Sequence, residues 1–261
     1  MTPRFNLAWQ ARQNLLLYVS AANGFKSGGF NGFFGDNSDT FLEPFDPERV
    51  WTYELGVKTD LLSNRLRLNT AFFLNDYTDL QMTASTIDAA GEPAFVVQNA
   101  GKAEIRGLEL ELQLQATQAF RVDFGLGYLD ARYTELDAGV TAVSTDGRIP
   151  KTPEWNLVLS PEYTFHLPNG GSLLVRADYS YKSKVYNDIA NSESIAQAPF
   201  GLVNTRASWI PASGAWEVYA YGTNLTDEEY LEHGVFPEAF GPSLGVAGRP
   251  REWGAGVRYR F

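Results

Sequence analysis

The sequence contains no cysteine, which removes both a disulfide framework and any thiolate metal site. Only two histidines occur, His166 and His233, too few for multi-histidine chemistry. Basic residues are outnumbered, 21 Lys and Arg against 31 Asp and Glu, for a formal charge of −10. Phosphate binding needs a dense basic surface to release counterions, so nucleic acid is not an expected partner. Long apolar runs are missing too: a stretch such as Leu15 to Val19 falls far short of the roughly 18 to 20 residues a membrane helix needs. That absence leaves one kind of membrane span open, because barrel strands alternate outward apolar with inward polar residues. The opening Met1-Thr2-Pro3-Arg4-Phe5 lacks the charged start, apolar stretch and small-residue cleavage site of a secretory leader, which in an exported protein leads us to expect a fragment.

What is abundant points to strands. Aromatic residues make up 14% of the 261 positions and glycine contributes 24, a composition of pleated strands and tight turns. From Arg106 to Gln115, Leu108, Leu110, Leu112 and Leu114 alternate with Glu109, Glu111, Gln113 and Gln115, so that every leucine falls on one face. The same period recurs at Val122, Phe124, Leu126 and Tyr128, and at Leu66, Leu68, Thr70, Phe72 and Leu74. Further strands are expected over 5–10, 15–23, 50–58, 155–165, 172–186, 200–210, 216–225 and 251–261, about eleven in all. In the 216–225 strand both faces carry aromatics, and the pattern does not choose between them.

The connections sort into two kinds. Short ones fall near 11–14, 60–64, 116–119, 167–171 and 211–214, several rich in the Gly, Pro, Asn and Asp of tight turns. Long ones lie between them, near 26–47, 80–94, 135–152, 187–199 and 228–248. Strict alternation of this sort is expected of an outer-membrane barrel, with turns at the periplasmic rim and loops at the outer one. Trp9, Trp51, Trp155, Trp209, Trp253, Tyr128, Tyr163 and Tyr179 fall near strand ends, where amphipathic rings suit the headgroup level. Cross-strand pairing in an ordinary sheet is the simpler explanation for such rings taken alone. The expected fold is therefore all-β, a transmembrane antiparallel barrel or part of one.

The last segment alternates Trp253, Ala255, Val257, Tyr259 and Phe261 against charges and glycines. It resembles the terminal strand of bacterial outer-membrane proteins, which implies that Trp253, Val257, Tyr259 and Phe261 serve as the signal read by the barrel assembly machinery. The stretch Tyr18-Val19-Ser20-Ala21-Ala22-Asn23-Gly24-Phe25-Lys26-Ser27-Gly28-Gly29-Phe30-Asn31 resembles a segment of TonB-dependent receptors. Residues 47–58, 65–73 and 76–81 are similar to the same family's barrel, as are Asn99-Ala100-Gly101, Gly107-Leu108-Glu109, Gly222-Thr223-Asn224-Leu225-Thr226-Asp227 and Gly248-Arg249-Pro250-Arg251. The resemblance spans essentially the whole chain in the family's order. It implies about 11 strands of a parent barrel of about 22, with residues 1–261 forming the C-terminal part. The plug domain and TonB-binding segment are expected to lie outside this chain, so that it reaches the TonB complex only through them. It also implies an outer-membrane receptor for a scarce nutrient such as a ferric siderophore, embedded in outer-membrane lipid and needing no cofactor. A passive porin-like channel and a β-rich surface adhesin are the other readings. Even strand number in one closed chain would mark the porin, and partition into buffer rather than detergent the adhesin.

Site chemistry is sparse. Phe25, Lys26, Phe30, Phe33 and Phe34, with Phe41, Phe45 and the glycines around them, form an aromatic loop suited to closing over an apolar ligand. The same rings would equally serve to order a long loop. The loop at 228–248 holds Glu228, Glu229, Glu232, Glu238 and His233, and a Glu229-to-His233 spacing suits one face of a helical turn. Further preorganised ligands are lacking, so a solvated acidic loop is expected and no metal. His166 beside a turn has no serine marked as its partner, and no enzyme is expected. Glu109, Glu111, Arg176, Asp178 and Arg206 are expected to line the lumen.

Overall fold

A computed structural model describes residues 1–31, 44–87, 93–137, 140, 143–235 and 243–260. Eleven strands form one antiparallel sheet: β1 (Arg4–Arg12), β2 (Leu15–Lys26), β5 (Glu48–Leu61), β6 (Leu66–Thr78), β9 (Gly101–Gln115), β10 (Phe120–Leu136), β11 (Trp155–His166), β12 (Ser172–Lys182), β13 (Phe200–Ile210), β14 (Trp216–Thr223) and β17 (Glu252–Tyr259). Each pairs with its neighbour in that order. These are the strands expected from the period-two pattern, although β12 stops at Lys182 rather than continuing to Tyr186. Three small hairpins stand apart from the sheet in the long connections: β3 (Gly29–Phe30) with β4 (Pro44–Phe45), β7 (Gln81–Ile87) with β8 (Pro93–Asn99), and β15 (Leu231–Val235) with β16 (Leu244–Ala247). The one helical element among the described residues is a 3₁₀ turn, Glu193–Ile195.

Register carries the alternation across the whole sheet. Leu110 lies opposite Thr70 on one side and Leu126 on the other, Leu126 opposite Leu157, and Leu157 opposite Tyr181. One face is consequently apolar from β1, with Phe5, Leu7 and Trp9, to β17, with Trp253 and Val257, and these side chains stand in the open. Contiguous exposed apolar surface on this scale needs a cover, and lipid is the cover a barrel strand is built for. The aromatic residues of this face gather in two bands. Trp9, Tyr163, Phe165, Trp209, Trp216 and Tyr259 lie toward the short turns, whereas Trp51, Tyr53, Tyr128, Trp155 and Trp253 lie toward the long loops. Within the bands, the Tyr128 and Trp155 ring centroids are 4.6 Å apart and those of Trp216 and Tyr259 4.5 Å apart.

The opposite face is polar and internally paired. Arg176 reaches Asp178 at 2.9 Å, Asp123 at 3.5 Å and Glu162 at 3.9 Å, while the buried Ser160 hydroxyl donates to Asp178 at 2.6 Å. Glu217 accepts from Arg206 at 2.8 Å, from Ser208 at 3.0 Å and from Arg258 at 3.2 Å, and the Arg206 guanidinium lies over the Tyr219 ring. Glu111 accepts from Asn69, and Glu109 shares this face. A chain of charge-assisted hydrogen bonds suits a wall that is hydrated but too confined to leave charges unpaired.

Register also settles the strand whose two faces both carry aromatics. Trp216, Val218 and Ala220 pair with Tyr259, Val257 and Ala255 and belong to the apolar face. Tyr219 and Tyr221 lie opposite Gly256 and Gly254 on the polar face, and their rings cover those glycines. Tyr18 over Gly56 and Phe73 over Gly107 repeat the arrangement. A ring lying flat across the neighbouring strand needs a partner without a Cβ, and in exchange it shields the bare backbone that glycine exposes.

At the short-turn rim, Leu62, Ser63 and Asn64 all adopt positive φ, and Gly170 and Gly214 do so in the turns after β11 and β13. The sheet is bounded by β1 and β17, and no backbone hydrogen bond joins these two among the described residues. With eleven antiparallel strands between them, inclusive, the two edges run in the same direction.

Two predictions follow from the faces and the glycine pairs. Leu110→Arg places a charge on the lipid side and is expected to cost about 2 to 4 kcal/mol, and Glu111→Arg on the polar face much less. Denaturant midpoints in detergent micelles measure both, and equal losses would contradict this assignment of the faces. Gly107→Ala puts a Cβ 2.2 Å from the Phe73 ring, whereas at Gly125 a Cβ meets nothing within 4 Å. The first is expected to destabilise by about 1 to 3 kcal/mol, while Gly125→Ala is expected to be neutral or slightly stabilising.

Candidate functional site

The buried apolar side chains among the described residues gather toward the long loops rather than in the middle of the sheet. Met82, Ala100, Ala103 and Tyr133 form a small core at the loop-side end of the polar face, with Tyr77, Leu80, Leu136, Val140, Val143, Ile149 and Ile189 packed against it. The long connections therefore fold inward and order one another instead of standing free. Two loop clusters result.

The first joins the β2–β5 and β6–β9 connections. Asn31, largely buried, donates to the Val97 carbonyl at 2.8 Å and accepts from the Val97 amide at 2.7 Å, pairing with β8 as another strand's backbone would. Asn99 donates to the carbonyls of Asp46 at 3.0 Å and Asp79 at 2.8 Å, and accepts from the Asp46 amide at 2.7 Å. Gln81 donates to Ser27 at 2.9 Å, and its own amide donates to Glu48 at 2.8 Å. Gly28 is required here by close approach, because a Cβ would lie 2.4 Å from the Phe45 carbonyl oxygen. Such amide side chains satisfy loop backbone that has no ladder partner.

The aromatic residues expected to hold a ligand are dispersed by this arrangement. Phe25, next to last in β2, lies in register with Arg49, on the face that carries Trp51 and Tyr53, and is well exposed. Lys26 lies opposite Glu48, and Phe30 sits exposed on the small hairpin opposite Pro44. Phe45 packs its ring against Gly29. Phe33, Phe34 and Phe41 lie outside the described residues, as do Glu238 and Phe261. Trp253, Val257 and Tyr259 stand on the apolar face of β17.

The second cluster joins the connections after β10, β12 and β14. Asn191 accepts from the Arg148 amide at 2.6 Å and donates to its carbonyl at 2.9 Å. Val185 and Gln197 exchange backbone hydrogen bonds, and the Gln197 side chain accepts from the Leu231 amide. Asn224 donates to the Glu228 and Arg249 carbonyls at 2.9 and 3.0 Å, and Asp227 pairs with Arg251 at 3.1 Å. Lys184 and Glu193 form an ion pair at 2.6 Å joined by the Tyr186 hydroxyl, which holds the lysine above and the glutamate below their usual ranges. Residues 231–235 form β15, so the helical turn that would have brought Glu229 and His233 together does not exist. His166 closes β11 opposite Ser172.

Among these three connections lies a cavity of about 310 Å³, lined by Lys151, Lys182, Phe200, Leu202, Tyr230, Glu232 and their neighbours. Ser180, Lys182, Phe200 and Leu202 reach it from the polar face of β12 and β13, and the remainder come from the loops. No single stretch of sequence contains more than a few of its residues, and that is why its composition escaped the sequence analysis.

Residues 1–225 match the family described as TonB dependent receptor-like, β-barrel. A probable TonB-dependent siderophore receptor, PiuA, of Acinetobacter baumannii is 29% identical over 203 residues, covering 74% of this chain and 26% of the relative. The metal-pseudopaline receptor CntO of Pseudomonas aeruginosa is 32% identical over 151 residues, covering 58% and 19%. Among solved structures, the ferric yersiniabactin uptake receptor FyuA of Yersinia pestis superposes with a TM-score of 0.82 at 20% identity, covering 99% of this chain and 37% of that one. The siderophore receptor PiuA of A. baumannii gives 0.74 at 22% identity, covering 98% and 35%. At such identities the structural likeness is one of fold, and the chain spans about a quarter of the length of its PiuA relative.

Asn31→Ala removes the partners of both the Val97 amide and the Val97 carbonyl while leaving the main sheet intact. The Val97 amide is expected to exchange with solvent about tenfold faster or more, from the loss of a hydrogen bond worth about 1 to 1.5 kcal/mol. The Val57 amide, held in the β5 ladder, is the internal control; equal acceleration at both would show that Asn31 supports the sheet as a whole.

Proposed function

The chain belongs to the TonB-dependent receptor β-barrel family of the outer membrane, and on that premise we propose that it forms part of the wall and outer loops of an importer that takes up a metal as an organic chelate, a ferric siderophore above all. The observation that carries the reading is the match of residues 1–225 to the family's barrel, together with relatives named as siderophore and metallophore receptors. The one-sided sheet supports it, since a continuous apolar face and an internally paired polar face are what a lipid-embedded wall around a hydrated lumen requires. So do the loop clusters, which draw long connections over the outer end of the polar face where a ligand would arrive.

In this reading the chain contributes about half of a barrel of about 22 strands. Capture falls to its loops. Plug and TonB-contacting segments, which couple uptake to the proton-motive force, belong to other parts of the receptor. The polar-face ion pairs of Arg176 and Arg206 keep the wall rigid and hydrated rather than taking part in chemistry.

Deleting the gene in its host is expected to lower uptake of radiolabelled iron supplied as one class of ferric siderophore by about tenfold, with a protonophore producing the same loss in the intact strain. Catecholate, hydroxamate and carboxylate chelates are supplied in turn under iron limitation. Unchanged uptake of all three in the deletion strain would sink the siderophore reading.

A further inference from the structure

We infer that the cavity at the loop-side ends of β11, β12 and β13 binds a small amphipathic organic anion, with Lys151 and Lys182 taking a carboxylate and Phe200, Leu202 and Tyr230 taking the aromatic or apolar body that bears it. The role of this cavity as a ligand subsite of an importer rests on the reading above. The binding itself does not.

Charge is the first argument. The chain as a whole carries −10, yet the cavity presents two ammonium groups against the single carboxylate of Glu232. Two other loop-side lysines are neutralised directly, Lys184 with Glu193 at 2.6 Å and Lys102 with Glu135 at 2.5 Å. Among the described residues neither Lys151 nor Lys182 has an ion-pair partner, and the Lys151 ammonium donates only to the neutral side-chain oxygen of Asn187. Burial and the neighbouring Lys182 hold the Lys151 ammonium below the usual lysine range. The charge of a bound anion would counter both effects, whereas a bound cation would aggravate the second.

Shape and preorganisation are the second. Apolar side chains stand beside the lysines, Phe200 directly across from Lys182 in the β12–β13 ladder, and the aromatic part is fixed: the Tyr230 ring stacks on Phe200 with centroids 4.7 Å apart and 11° between planes. Its position over Gly248 is equally fixed, since a Cβ there would meet the ring at 2.1 Å. Lys151 is held at φ +62°, a conformation few side chains adopt, by its amide hydrogen bond of 3.0 Å to the Tyr186 carbonyl. Strain maintained by surrounding contacts is typical of positions whose side chain must point in one direction. The volume, about 310 Å³, lies at the small end of ligand pockets, enough for one arm of a chelate or one compact acid. An inorganic anion would use the lysines and waste the apolar wall.

The test is a titration of the detergent-solubilised receptor polypeptide carrying this chain with benzoate, followed by ligand-observed NMR, with benzamide as the neutral isostere and phosphate as the anion without an apolar body. Benzoate is expected to bind at least about tenfold more tightly than either control. A K151M/K182M double variant is expected to lose that advantage while benzamide is unaffected. E232Q is expected to tighten benzoate several-fold, a gain that misfolding cannot produce. Equal affinity for benzoate and benzamide, phosphate binding as tight as benzoate, or an unaffected double variant would each overturn the site. If benzoate behaves as expected while gene deletion leaves all iron uptake unchanged, the importer reading fails and the site stands. The reverse pair of results removes the site and leaves the importer.

Discussion

Every backbone amide and carbonyl that enters lipid must find its partner within the protein, because no water is there to replace it. In this chain a ladder through eleven strands meets that requirement between neighbours and leaves it open along the outer edges of β1 and β17, and the ladder in turn fixes everything else. Once neighbouring strands are locked in register, a period of two in one strand becomes a single apolar surface across all of them. A slip of one residue in any pair would turn leucines inward and carboxylates outward from that strand onward. The ion pairs of Arg176 and Arg206, the aromatic bands and the rings lying over glycines all follow from a register that the ladder holds.

The same requirement explains where the chain departs from the ladder. Long connections leave the sheet only at one rim, and there their backbone is satisfied by amide side chains, with Asn31, Asn99, Asn191 and Asn224 each bonding main-chain groups far away in sequence. These residues fall largely within the stretches that resemble a known receptor family, and the structure gives a physical reason for two of them. Asn224 and Asp227 meet Arg249 and Arg251, so two motifs distant in sequence prove to be halves of one anchor.

How much of this was legible in the sequence depended on the range of the interaction. Strands such as Arg106 to Gln115 announce themselves locally, since each leucine's face is set by its own neighbours. The faces of the Trp216 strand could not be read that way, because Tyr219 and Tyr221 are accommodated only by Gly256 and Gly254, some 35 residues on by register. The three outer hairpins were missed for a related reason: most of their strands are too short to show a period, so their pairing depends on loop packing rather than on a pattern of their own. Phe25 looked like part of a ligand-closing loop because it precedes Phe30 and Phe33, but it still belongs to β2 and takes its direction from that strand. The cavity containing Lys151, Lys182 and Tyr230 joins three connections, and no linear reading could assemble it.

The parity of the sheet sets a rule for whatever completes it. Since β1 and β17 point the same way, a segment that pairs antiparallel with both must begin and end on strands pointing the other way, and so must contain an odd number of them. Two copies of this chain inserted in one orientation cannot satisfy that rule, because each seam would bring like-directed strands together. The wall is in this sense self-excluding: it can close with a complement but not with its own twin.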